Sequence, residues 1–154
     1  MDAGKVLVSL LTQLIRDEDN RQFPYDDDDG ATLIRGCTLR GNISIGVGRN
    51  LSAKGLSQEE RRFLLQNDIA DASRELEQHF PWTSGLDGVR RDALVNMFFN
   101  EGVGHLAGFV HFLAALKAGD YKLARDHMLD SLWATQVGPR AQRLAIQIDT
   151  GVEQ

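Results

Sequence analysis

The sequence predicts an α+β fold: a small N-terminal lobe carrying an antiparallel β-hairpin sheet, a long interlobe helix and a helical C-terminal lobe. Three observations carry this expectation. Helical apolar spacing near the N-terminus gives way between Gly30 and Arg49 to short β-favouring pieces separated by glycines at 30, 36, 41, 46 and 48. The run Ser57-Gln58-Glu59-Glu60 then has the form of a capping box and opens a helical stretch that ends at Pro81. Beyond it, helical patterns recur to the end of the chain, punctuated by Gly119 and Gly138.

The first element is an amphipathic helix. Val6, Leu7, Leu10, Leu11, Leu14 and Ile15 fall on one face, and that face is expected to pack the helix on the C-terminal lobe. The same apolar stretch is too short to span a bilayer, which takes about 20 apolar residues; a weak signal or anchor segment is the alternative. Within the sheet, Ala31 to Ile34 and Asn42 to Val47 are the expected strands, placing an N-lobe over about residues 1–56.

The interlobe helix is expected over about residues 57–79. Its apolar positions Phe63, Leu64, Ile69, Ala72 and Leu76 leave one flank sparse, as suits a half-solvated helix between lobes. The C-lobe, about residues 80–154, should centre on Leu86 to Phe99, apolar at Leu86, Val89, Ala93, Leu94, Met97 and Phe98 and stopped by Gly102 and Gly104. Shorter helices are expected near 107–118, 120–132 and 138–149.

A chain of 154 residues with 42% hydrophobic and 25% charged residues has the size and composition of one ordinary globular domain. Its formal charge of −5 argues against a nucleic-acid binder, which shows a basic footprint. The single cysteine, Cys37, excludes an intramolecular disulfide and a cysteine-based metal site; a lone cysteine is expected to be a small buried hydrophobe. His79, His105, His111 and His127 show no paired ligand spacing, so neither a zinc site nor a cofactor is expected. Trp133, Phe98, Phe99, Phe109 and Phe112 read as core, while Trp82 is open to stacking on a sugar.

Chemistry is suggested where the first helix meets the sheet. Arg16, Asp17, Glu18, Asp19, Asn20 and Arg21 precede a run of four aspartates, Asp26 to Asp29. Paired carboxylates suit glycosidic hydrolysis, in which one protonates the leaving oxygen and the other activates water or attacks. Acidic residues at a helix end and in a loop are equally ordinary solvated surface.

Three segments decide between these readings. Glu18 is followed after eight residues by Asp27, and later by Ser44-Ile45-Gly46-Val47-Gly48. Leu86-Asp87-Gly88-Val89-Arg90-Arg91 leads through Asn96-Met97-Phe98-Phe99-Asn100 to Gly108-Phe109. Trp133-Ala134-Thr135-Gln136 precedes Pro139-Arg140-Ala141-Gln142-Arg143. In this order they resemble the phage-type lysozymes, glycoside hydrolase family 24, over nearly the whole chain.

The resemblance implies a lysozyme-like fold and cleavage of bacterial peptidoglycan between N-acetylmuramic acid and N-acetylglucosamine, with inversion. It implies that Glu18 is the general acid, that Asp27 holds and activates the attacking water, and that Ser44, where the family has a threonine, helps place it. Arg140 matches an arginine that pairs with the catalytic glutamate, and Asn100 with Gly102 to Gly104 matches the cleft wall. Sixteen residues separate Asp27 from Ser44, far more than the family's usual handful, so Thr32 and Thr38 stay open as the working hydroxyl, as do Asp26 and Asp28 as the base. The resemblance further implies a monomer, made in the host bacterial cytoplasm without stable membrane insertion, that reaches the periplasm through a separate holin-type hole. Lytic transglycosylation and a non-catalytic wall-binding or virion-structural role are the competing functions.

Overall fold

A computed structural model describes residues 3–18 and 20–154. The chain divides into two compact units, residues 1–62 and 63–154. Of the expected N-terminal features, the side chains of Val6 and Leu7 and all of Asp19 lie outside the described residues.

The first unit opens with helix α1 (Ala3–Asp17), whose Leu10, Leu11, Leu14 and Ile15 are exposed. A three-stranded antiparallel sheet follows in the order β1 (Asn20–Asp26), β2 (Ile43–Val47), β3 (Arg49–Asn50). The sheet therefore begins ten residues earlier than Gly30. β1 escapes a sequence reading because Gln22 and Phe23 are both exposed and Pro24 interrupts it. Proline cannot donate to a ladder. The pairing accommodates it with a register shift: Arg21 lies opposite Gly46 and Tyr25 opposite Ser44, so β1 carries two extra residues across that interval. Ala31 to Ile34 is not a strand; it contributes one bridge, Thr32 to Tyr25.

Asn50 caps the four-residue helix α2 (Leu51–Lys54), its side chain accepting from the Ala53 N–H at 2.8 Å. Helix α3 (Gln58–His79) starts on the expected capping box. The Ser57 hydroxyl accepts from the Glu60 N–H at 3.2 Å, and the Glu60 carboxylate accepts from the Ser57 N–H at 2.7 Å. Arg49 completes this corner, donating to both Glu60 oxygens at 2.6 and 2.7 Å and to the Gly55 carbonyl at 2.7 Å.

The second unit takes over α3 from Phe63. On α3, Ala72 and Leu76 are buried while Phe63, Leu64, Leu65 and Ile69 are exposed, the one-sided helix that its sparse apolar pattern predicts. A short 3-10 turn (Pro81–Gly85) leads to α4 (Gly88–Ala107), α5 (Val110–Ala118), α6 (Tyr121–Leu129), α7 (Leu132–Val137) and α8 (Pro139–Thr150). Their core gathers Leu76, Leu94, Met97, Leu106, Phe112, Leu116, Met128 and Ile148, each almost fully buried. Gly119 adopts a left-handed conformation at the end of α5, as a helix-terminating glycine should.

Four expectations need correction. Gly102 interrupts α4 (φ 69°, ψ 174°), but Gly104 does not stop it, because helical geometry resumes as far as Ala107. The stretch 120–132 breaks at Asp130, and Ser131 caps the separate helix α7 by accepting from the Ala134 N–H at 3.1 Å. Cys37 is exposed, since the long hairpin segment around it has no packed interior to hide a side chain. Phe99 is 46% exposed, whereas Phe98 beside it is 3% exposed; consecutive helical positions point about 100° apart and only one meets the core.

Arg90 ties the ends of the second unit together. Its guanidinium donates to the Ile148 and Asp149 carbonyls at the end of α8 (2.7 and 2.8 Å), binds Asp87 at 2.6 Å and lies 3.7 Å over the Tyr121 ring. It satisfies carbonyls that the helix itself leaves free. Arg90→Ala should cost about 3 kcal/mol or more, at least the low end for two hydrogen bonds from a charged donor at about 1.5–3 kcal/mol each, as read by urea denaturation; an unchanged midpoint contradicts this role.

The Arg49–Glu60 pair makes a prediction of a different kind. Its hydrogen bonds from Arg49, with that from Ser57, hold the Glu60 carboxyl at about 2, below its ordinary 4.5. A depressed carboxylate contributes stability that is present above its ordinary value and is lost as the pH falls through the depressed one. Arg49→Met should therefore lower the melting temperature near neutral pH by no more than a few degrees, the pair being half-solvated. The gap from wild type should narrow between pH 4.5 and 2, leaving the part that the Gly55 carbonyl contact supplies, and a constant gap would exclude the pair as a cause.

Candidate active site

Glu18 stands one residue beyond α1, exposed, with its N–H donating to the Leu14 carbonyl at 2.8 Å, so the last turn of the helix carries it. Beside it Arg16 and Asp17 are paired at 2.8 Å.

The four aspartates, indistinguishable as a run, are given different tasks by the hairpin. Asp26, the last residue of β1, is 2% exposed. Its carboxylate accepts from the backbone N–H groups of Arg40 (2.6 Å), Gly41 (2.8 Å) and Asp28 (3.1 Å). The Arg40 N–H above all, then that of Asp28, holds the Asp26 carboxyl below the ordinary aspartate range, against the opposing effect of burial. A carboxylate enclosed and occupied in this way fastens the two limbs of the hairpin together. Asp29 accepts from the Ala31 N–H at 2.9 Å and shapes the turn.

Asp27 is exposed and is gripped by one residue. Its Oδ1 accepts from the Asn42 N–H at 2.6 Å and its Oδ2 from the Asn42 side-chain amide at 3.1 Å, while its own N–H donates to the Asn42 carbonyl at 3.0 Å. Two residues further along each strand, Tyr25 lies opposite Ser44. Side chains alternate across a sheet, so Tyr25 and Ser44 share one side of the pleat and Asp26 takes the other, while Asp27 and Asn42 lie just beyond the strand ends. Ser44 is 3% exposed, on the central strand, and Asn50 of β3 is its other neighbour. Thr32 is exposed and borders Tyr25 on the outer side, and Thr38 is exposed in the loop between Asp29 and Asn42.

The remaining site candidates belong to the second unit. Asn100 accepts from the indole N–H of the buried Trp133 at 3.0 Å, which fixes its amide against the core. Gly102 makes the kink described above, in a positive-φ conformation that favours glycine. Gly104 lines a depression of about 680 Å³ with Glu101, His105, Phe109, His127 and Trp133. Arg140 lies elsewhere on the unit, in a groove of about 520 Å³ with Leu65, Ile69, Val95 and Phe99. There it donates to the Asn96 side-chain carbonyl at 2.7 and 2.9 Å and to the Asn96 backbone carbonyl at 3.0 Å. Asn96 is thus the partner that fixes Arg140, a contact between residues 44 apart in the chain that no local pattern announces.

The fold brings two of the four histidines together, His111 and His127, with ring centroids 5.4 Å apart. Fifteen residues lie between them, so local spacing gave no sign of it. Among the described residues no group of three or more His, Cys, Asp and Glu side chains is arranged to hold a metal ion, and no helix is long and apolar enough to cross a membrane.

Comparison with known proteins now adds to this geometry. The phage lysozyme family profile matches residues 18–146, starting on Glu18 itself. The chain belongs to the phage lysozyme family. It is 33% identical over 161 aligned residues to the pre-baseplate central spike protein Gp5 of Enterobacteria phage T4, an alignment covering 94% of this chain and 28% of that protein. It is 26% identical over 99 residues to the probable T4-type lysozyme 1 of Dictyostelium discoideum, covering 62% and 58% of the two chains. The chain therefore spans just over a quarter of the first relative and just over half of the second. The mostly helical chain with one small antiparallel sheet agrees with the α+β, lysozyme-like fold expected of this family.

The division of labour between neighbouring aspartates in this family member can be tested directly. Asp26→Asn should lower the melting temperature by several degrees, because an amide returns one acceptor and sets an N–H₂ against backbone donors. Asp27→Asn should leave the melting temperature within a few degrees of wild type, its carboxylate being exposed. The reverse pattern would exchange the two roles.

Proposed function

We propose that this chain is a muramidase that hydrolyses the β-1,4 bond between N-acetylmuramic acid and N-acetylglucosamine in bacterial peptidoglycan. Glu18 protonates the leaving oxygen, Asp27 activates the water that attacks from the opposite face, and Ser44 helps to place that water. Asn100, Gly102 and Gly104 receive the sugar, with Arg140 as a supporting residue. A water-mediated attack gives inversion. The reading is carried chiefly by the exposed, hydrogen-bonded carboxylate of Asp27 at the hairpin end that also bears Ser44, in a family match that begins at Glu18.

Ser44 lacks the methyl that restricts a threonine rotamer but keeps the hydroxyl. Ser44→Thr should therefore retain activity where Ser44→Ala loses it. In the same proposal the enzyme acts as a monomer on the wall from the periplasmic side, after synthesis in a host cytoplasm and passage through a separately formed membrane hole.

The likeness to a central spike protein favours a second reading, in which the unit works as part of a virion and degrades or binds the wall during entry. Finding this chain in washed, purified particles would support that placement; finding it only in the soluble lysate would support the lysis role.

The deciding experiment is Glu18→Gln, which keeps the shape of the side chain and removes its acid. Release of reducing ends from purified peptidoglycan should fall by about two to four orders of magnitude, the usual contribution of a positioned general acid. Wild-type release by this variant would sink the assignment of Glu18.

A further inference from the structure

We propose that Asn42 is a positioning residue for Asp27, and that the lengthened hairpin serves to deliver it; the inference rests on the reading of Asp27 as the water-activating group. One residue holds both oxygens of the carboxylate, Oδ1 through its backbone N–H at 2.6 Å and Oδ2 through its side-chain amide at 3.1 Å. Turning the carboxylate about its Cβ–Cγ bond breaks both contacts at once. Each oxygen keeps further lone-pair capacity, because an ionised carboxylate accepts at about four sites. The grip therefore orients the group without using it up.

The chain that presents Asn42 is itself fastened. Three successive backbone N–H groups, those of Arg40, Gly41 and Asn42, donate to two successive carboxylates, Asp26, Asp26 and Asp27 in turn. Such close approach requires glycine in the middle. A Cβ on Gly41 would lie 2.3 Å from Asp27 Oδ1, 2.8 Å from Asp26 Oδ1 and 2.9 Å from the Asp28 nitrogen. The hairpin is thus built tightly at the point where Asp27 emerges, although the loop that leads there is long and exposed. Catalysis is sensitive to such placement, since an error of about 1 Å can cost about a hundredfold in rate.

The test is steady-state kinetics of the full chain on soluble, uncrosslinked peptidoglycan strands. Asn42→Ala keeps the backbone donor and removes the amide. It should lower kcat by about ten- to a hundredfold with KM within about twofold and the melting temperature within a few degrees of wild type. Asn42→Ser, too short to reach Oδ2, should do the same and provides the answer if the alanine variant folds poorly. Added to Asp27→Ala, Asn42→Ala should change the remaining rate by less than about twofold, because the residue it positions is already gone. A wild-type kcat in both Asn42 variants overturns the proposal, as does an equal loss with and without Asp27. Wild-type activity in Asp27→Ala alone is a different failure: it removes the catalytic reading of Asp27, whatever Asn42 does.

Discussion

A carboxylate taken out of water is tolerated only where hydrogen-bond donors replace its hydration, and the hairpin of this protein is organised around meeting that requirement at Asp26. Its donors come from the turn just after it and from the returning limb fourteen and fifteen residues later. The demand of a single buried charge therefore fixes the distance between Asp26 and residues 40–41, and with it the pairing of Asp27 with Asn42 and of Tyr25 with Ser44. Among the described residues, every buried apolar side chain belongs to the second unit. Among the described residues of the first unit, polar contacts of this kind hold the hairpin together.

The second unit obeys different physics. Eight nearly inaccessible side chains from five helices form its interior, and the polar candidates stand on the surface of that interior, anchored to it. The Trp133 indole ends in the Asn100 amide, Arg140 is bound to Asn96 on α4, and the kink at Gly102 falls two residues past Asn100. Rigid packing thus holds the proposed sugar-binding groups. A compact hydrogen-bond network holds the proposed water-activating one.

What the sequence made legible follows from range. The Ser57–Glu60 capping box, the apolar spacing of α4 and the glycine stop at 119 are local signals, and each appears in the structure where it was expected. Features that depend on partners far along the chain were hidden. Nothing within four identical aspartates says that one of them will be enclosed by N–H groups from residues 40 and 41. The reach of Arg90 to carbonyls 58 and 59 residues away, and the meeting of His111 with His127, have no local pattern either. β1 was missed because Pro24 and its bulge erase the alternation of a strand, and the exposure of Cys37 because a lone cysteine carries no sign of whether its loop has an interior. The candidate acid and base came from family resemblance, and residue spacing alone left Asp26 to Asp28 equivalent.

In the proposed mechanism a water held by Asp27 attacks the anomeric carbon from the face opposite the leaving group protonated by Glu18. Proton NMR of the first product formed from a β-linked glycan strand tests it most directly. The newly freed N-acetylmuramic acid end should appear first as the α anomer and only later equilibrate. A β anomer at first appearance, or an end with no free anomeric hydroxyl, would contradict it.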